Sequence, residues 1–203
     1  MKILCIGRNY IDHAKELNNP VPEAPVFFAK AENAILRNGA TFFYPDFSKD
    51  IHYETEIVIK INRIGKNIEP QFAHRYYNEI GIGIDFTARD LQNEAKKKGL
   101  PWEIAKAFDY SAPIGDFFSK NKFPDIKNIH FSLDINGKNV QKGNTGDMIF
   151  DIDYLISYLS KFYTLKIGDL IFTGTPAGVG SIAIGDGLLA KIEGMECLKI
   201  DIK

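Results

Sequence analysis

Along this chain hydrophobic and polar positions mostly alternate over short stretches, and few stretches keep a helical period. Ile80-Gly81-Ile82-Gly83-Ile84 alternates strictly and predicts a strand ending at Asp85. Residues 3–7, Val26–Lys30, Leu170–Phe172, Leu188–Ile192 and Leu198–Ile202 are apolar runs of strand length, and Phe42–Tyr44 is a short aromatic one. Residues 51–62 read as a further strand, in which His52, Glu54 and Glu56 share one face because side chains alternate. Phe131–Ile135 and Asn139–Gln141 flank Asn136-Gly137, the dipeptide that two-residue hairpin turns favour.

Helical signals are fewer. Ile152–Phe162 places Ile152, Leu155, Ile156 and Leu159 on one face. A short helix is expected from about Asn9 to Leu17, and Gln71–Asn78 is open to one. Thr87-Ala88-Arg89-Asp90 matches a capping box, starting a helix that runs to about Lys98 and stops at Gly99. Asn18–Pro25, with three prolines, is a loop; Arg37-Asn38-Gly39 is a turn; Gly- and Pro-rich loops follow residue 99. Many short strands with two or three helices predict a β-rich α+β fold. No repeat or linker divides the sequence, so one domain is expected over 1–203.

Composition narrows the function. The 203 residues are 45% hydrophobic, enough for a sizeable core, and the net charge of −1 comes from interspersed signs. Nothing in that balance calls for nucleic acid or an anionic membrane. The basic cluster Lys96-Lys97-Lys98 ends a predicted helix, where cations suit the macrodipole. Cys5 and Cys197 lie in apolar runs and form no CxxC pair, so buried reduced thiols are expected. No run is long enough to span a bilayer, and Met1–Leu4 is too short for a signal-peptide core. A cytoplasmic protein is the expectation.

The candidate chemistry is acidic. Glu54 and Glu56 on one strand face repel each other unless a cation lies between them. Mg²⁺ or Mn²⁺ suits such oxygen ligands; a solvated strand face is the alternative. Asp85, at a strand end, adds a third carboxylate or else caps the following helix. Arg89 and Gln92, three apart on that helix, share a face on which Arg89 grips a substrate carboxylate or forms a surface ion pair. Lys106, between Ala105 and Ala107, is either desolvated and positioned or exposed. His13 and Glu16 lie one turn apart, as an oriented general base or as an exposed helix pair. The proline-rich loop after them would let that helix act as a lid over about residues 9–25. Thr173–Gly180 lacks a Walker lysine, so ATP is a poor fit; it is an anion cradle or a structural turn.

Five motifs carry a resemblance across nearly the whole chain: Gly7-Arg8-Asn9-Tyr10 with His13 and Glu16; His52-x-Glu54-x-Glu56; Asp85-x-Thr87-Ala88-Arg89-Asp90-x-Gln92; Lys97–Trp102 with Lys106; and Thr173-Gly174-Thr175-Pro176-x-Gly178-Val179-Gly180. In their order and spacing the sequence resembles the short form of the fumarylacetoacetate hydrolase family. The resemblance implies a mixed β-sandwich roll, a homodimer, and Mg²⁺ or Mn²⁺ held by Glu54, Glu56 and Asp85. It implies Lys106, Arg89, Gln92 and Thr175 around a small 2-oxo acid, with His13 and Glu16 brought by the lid. The implied activity is C–C hydrolysis of acylpyruvates through a metal-stabilised pyruvate enolate. Oxaloacetate decarboxylation or tautomerisation, and isomerisation or decarboxylation of hydroxymuconate-type acids, are the alternatives. Outside enzymes, the alternative is a metal-stabilised binding module.

Overall fold

The computed structural model describes residues 1–16 and 21–203. The expected helix end at Leu17 and the loop start at Asn18–Pro20 lie outside the described residues. The chain begins β1 (Ile3–Gly7), α1 (Ile11–Glu16), β2 (Val26–Lys30), β3 (Ile35–Arg37) and β4 (Thr41–Phe42). It continues β5 (Ile51–Tyr53), β6 (Thr55–Ile61), α2 (Pro70–Ala73), β7 (Tyr77–Ile84), β8 (Thr87–Ala88), α3 (Arg89–Lys98) and α4 (Glu103–Lys106). After β9 (Ala112–Ile114) and β10 (Phe118–Ser119) come β11 (His130–Ile135), β12 (Lys138–Asn144) and α5 (Ile152–Phe162). The last strands are β13 (Leu170–Phe172), β14 (Gly180–Ser181), β15 (Gly187–Ile192) and β16 (Met195–Ile202).

An eight-stranded sheet runs β2-β1-β13-β6-β7-β9-β3, with β10 also paired to β7. A five-stranded sheet runs β12-β11-β15-β16-β4. The main core lies between them: Ile57, Ile59 and Ile82 cluster with Leu133, Leu188 and Ile200, and α5 adds Leu155, Ile156 and Leu159. Alternation sends the other face of β6 away, so Val58 packs with Ile3, Cys5, Leu170 and Phe172 in a second cluster. Both cysteines are buried and free. This is the expected β-rich α+β fold with short helices. Asn136 and Gly137, both at positive φ (52° and 78°), close the β11–β12 hairpin as their residue types require.

Four expectations need correction. Residues 51–62 are two strands, β5 and β6, that break at Glu54 and join different sheets. The capping box does not form: α3 is capped by Ala88 without a side-chain bond, because Thr87 Oγ1 donates to the carbonyl of Asp85. Five α-helices stand among the described residues rather than two or three. The stretch after Gly99, expected as loops, contains α4, β9 and β10. Among the described residues no helix is long and apolar enough to cross a membrane.

Candidate active site

The site forms where two paired strands pass from one sheet to another. β6 and β7 pair in the large sheet up to Thr55 opposite Ile84. Their continuations β5 and β8 pair in a small third sheet, with His52 opposite Thr87. Glu54 and Asp85 occupy the gap, and the amide of Asp85 donates to the carbonyl of Glu54 at 2.8 Å. Glu56, two residues along, faces Gly83. One carboxylate oxygen from each of Glu54, Glu56 and Asp85 lies within 4.8 Å of the other two, and all three residues are buried.

Three buried cations answer this charge unevenly. Lys106 Nζ bridges Glu54 Oε2 (2.8 Å) and Asp85 Oδ2 (2.7 Å) and also donates to Thr87 Oγ1. Arg89 donates to Glu54 Oε1 at 2.5 Å and to Gln92 Oε1 at 2.6 Å. Lys30 Nζ lies 2.7 Å from Asp85 Oδ1 and donates to the carbonyl of Ser111. Burial pushes the Glu54 carboxyl up, but Lys106 and Arg89 outweigh it and hold it well below the usual range. Burial lowers the Lys106 ammonium pKa, and Asp85 and Glu54 more than reverse this, so it stays charged. Glu56 is different. Burial, then Asp85 and Glu54, push it well above the usual range, opposed mainly by one N–H from Gly174.

This arrangement fits a hard divalent cation. Glu56 has no side-chain cation of its own among the described residues, and Asp85 Oδ1 is buried with an ion-pair contact but no aligned hydrogen bond. Three carboxylates without thiol or imidazole form the oxygen-only donor set of Mg²⁺ or Mn²⁺.

The Gly-rich loop supports the cluster from behind. Gly174, at φ 100°, aims its amide at Glu56 Oε2 (2.6 Å). Thr175 lies in the cavity, but its hydroxyl donates to the carbonyl of Thr55 and accepts from Gln141 Nε2. Helix α1 docks on the same loop: Glu16 accepts from the amide of Gly178 at 3.1 Å, and its other oxygen lies 3.3 Å from His13 Nδ1. With Nδ1–H donated to Glu16, Nε2 of His13 carries the lone pair. Burial lowers the His13 pKa, opposed by Glu54 and Glu16.

Of the nine residues singled out from sequence, His13, Glu54, Asp85, Arg89, Gln92, Lys106 and Thr175 line one cavity, walled by Phe28 and Trp102. Glu56 sits behind it and Glu16 beside it. Arg89, expected to face either a substrate or solvent, is engaged by Glu54. Lys96, expected as a cation at the helix end, turns into the cavity, while Lys98 pairs with Glu94. Lys30 and Gln141 were not anticipated. A lysine closing the apolar run Val26–Ala29 was the available signal for Lys30; Gln141, inside a hairpin strand, gave none.

The fumarylacetoacetate (FAA) hydrolase C-terminal family matches residues 2–203. The chain is 42% identical over 202 residues to the mitochondrial oxaloacetate tautomerase FAHD1 of Arabidopsis thaliana, covering all of this chain and 91% of that protein. It is 42% identical over 196 residues to the mitochondrial oxaloacetate decarboxylase of Dictyostelium discoideum, covering 96% and 90% of the two. Among solved structures, fumarylpyruvate hydrolase from Pseudomonas aeruginosa in complex with Mn²⁺ and pyruvate superposes with a TM-score of 0.93 at 36% identity. The match covers 100% of this chain and 89% of that one.

Proposed function

The chain belongs to the fumarylacetoacetate hydrolase family, and on that premise we propose that it is a divalent-metal-dependent enzyme acting on oxaloacetate, by tautomerisation and decarboxylation. The observation that carries the metal is Glu56: a buried carboxylate beside two others, with no side-chain cation of its own among the described residues. Glu54, Glu56 and Asp85 would hold Mg²⁺ or Mn²⁺, whose charge, when bound, polarises a 2-oxo group and stabilises the enolate.

The protein's own groups do the rest. Lys106 supplies a fixed positive charge beside Glu54 and Asp85, where negative charge develops on the 2-oxo oxygen. Gln92 and Arg89 hold one another on the cavity wall and orient the substrate. His13, oriented by Glu16 and only 4% exposed, is the group that moves the substrate's protons. In tautomerisation Nε2 takes a proton from C3, and a proton returns to the 2-oxo oxygen. In decarboxylation the C3–C4 bond breaks, CO₂ leaves with no base required, and the enolate of pyruvate is then protonated at C3.

Sequence reading placed acylpyruvate hydrolysis first; relatives 42% identical along the chain move oxaloacetate ahead of it. Hydrolysis stays as the second reading because of the His13–Glu16 pair: a general base that activates water is needed there and not for decarboxylation. A homodimer, tested by sedimentation, is part of the proposal. The deciding assay follows oxaloacetate enol decay and pyruvate release, with acetylpyruvate in parallel, in Mg²⁺ and in excess EDTA. Metal-dependent turnover of oxaloacetate above the protein-free rate supports the reading. Release from acetylpyruvate alone replaces it with hydrolysis, and silence on both removes it.

A further inference from the structure

Two cations of the active-site cavity form no ion pair with a carboxylate among the described residues. Arg89 and Lys106 are engaged by Glu54 and Asp85, whereas Arg8 and Lys96, which line the same cavity, make no ion pair or side-chain hydrogen bond among the described residues. Both are half-buried. Lys96 lies on the face of α3 that carries Arg89 and Gln92, seven and four positions on, and its ammonium sits 5.4 Å from the centre of the Trp102 ring. Burial lowers its pKa, and Arg89 and Arg8 lower it further, so these positive charges act on one another.

Arg8 is held there at a cost. Its φ of 61° lies in the left-handed region, which a glycine adopts freely and an arginine does not. The turn is fixed from the next residue: the Asn9 amide donates to the carbonyls of Phe150 and Thr173, and its oxygen accepts from the amide of Phe150. A strained backbone that brings a guanidinium to a cavity where none of the described residues receives it marks a place for a ligand anion. A planar carboxylate matches the guanidinium fork, and the ammonium supplies a second contact.

We propose that Arg8 and Lys96 form a subsite for the distal carboxylate of the substrate, so that the cavity selects dicarboxylic 2-oxo acids over those with a neutral tail. This rests on the reading of the cavity as a 2-oxo acid site. It also accounts for the division of labour among five cations: Lys30, Lys106 and Arg89 compensate the protein's own carboxylates, and Arg8 and Lys96 wait for one from the ligand.

The test is calorimetric titration of the Mg²⁺-loaded protein with malate and with lactate, which differ only in the second carboxylate and undergo no reaction. Malate is expected to bind about ten- to a hundredfold more tightly, the range for hydrogen bonds to charged groups. Arg8→Gln and Lys96→Gln should each reduce that ratio about tenfold, and Arg8→Lys, which keeps the charge without the fork, should reduce it less. Equal affinities in the unaltered protein, absence of binding by both acids, or an unchanged ratio in both variants would overturn the subsite. As a second readout, kcat/KM for oxaloacetate relative to that for acetylpyruvate should fall in the variants. If no 2-oxo acid is turned over, the enzymatic reading falls, while the malate-to-lactate ratio still reports on Arg8 and Lys96.

Discussion

The amide of Gly174 donates to Oε2 of Glu56 at 2.6 Å, and among the described residues it is the one hydrogen bond this carboxylate makes. Removing the charge of Glu56 while keeping its shape therefore has opposite consequences with and without metal. Glu56 binds its proton more tightly in the folded protein than in the unfolded chain. The stability it contributes is complete below the ordinary value of 4.5 and is lost as pH rises toward the raised folded value. In EDTA, Glu56→Gln should thus melt above the unaltered protein, by a margin that widens from pH 5 to pH 8. In saturating Mg²⁺ the order should reverse, since a ligand at 100 times its Kd stabilises by about 2.7 kcal/mol and the variant binds it poorly. Thermal melts at three pH values check this; a variant that gains as much from Mg²⁺ as the unaltered protein removes Glu56 from the metal site.

Gly174→Ala tests the support behind that carboxylate. A Cβ there would come within 2.7 Å of Asn9 Cβ, and the φ of 100° is one that L side chains rarely adopt. Strain of about 1–3 kcal/mol is expected. A loop that relieves it by rotating the Gly174 peptide turns the amide away from Glu56. The melting temperature should fall, and Mg²⁺ affinity should fall with it. A drop in stability with metal affinity intact would show that the Gly174 amide does not position Glu56.

His13 is buried and its pKa lies below the ordinary 6.5, so its basic form persists to lower pH than a free imidazole's would. Turnover that uses His13 as base should rise with pH through an acid limb below 6.5. Glu16 raises the His13 pKa through its hydrogen bond and charge, so Glu16→Gln should move that limb to still lower pH. His13→Ala should erase the limb and lower acetylpyruvate hydrolysis by about 10²–10⁴-fold, the usual share of a general base, with a smaller loss for decarboxylation. Equal losses for both substrates would assign His13 to binding rather than to water activation.

What the sequence disclosed and what it hid divide along physical lines. Period-two alternation at Ile80–Ile84, the Asn136-Gly137 turn and the apolar face of Ile152–Phe162 are local signals, and each element is present. The three metal-candidate carboxylates were legible because the alternating pattern puts Glu54 and Glu56 on one face and Asp85 directly after a strand. The break at Glu54 was not legible, since a strand changing sheets keeps the same residue types on both sides. Helix α4, with four residues, is too short to show a period. Thr87 resembled a capping residue, but the long-range demand of Lys106 and the carbonyl of Asp85 takes its hydroxyl. Lys96 had a sufficient local explanation at the end of a helix, which concealed its place in the cavity.

Lys30 shows the same limit, because its partner lies 55 positions away in the chain. Its ammonium is fully buried, 2.7 Å from Asp85 Oδ1, an oxygen with no aligned hydrogen bond. Lys30→Met would leave that oxygen without its cation, while the carbonyl of Ser111 would lose one of two donors and keep the Phe86 amide. Breaking a buried pair from one side costs about 3–5 kcal/mol, because the remaining charge stays desolvated. Urea unfolding in EDTA should show a loss of that size. Pairing the change with Asp85→Asn should recover part of it, since an amide carries no charge to strand. Added Mg²⁺ should also stabilise Lys30→Met more than the unaltered protein if the ion supplies the missing positive charge. A loss below about 1 kcal/mol in Lys30→Met, in the range of surface ion pairs, would mean that Lys106 alone compensates Asp85.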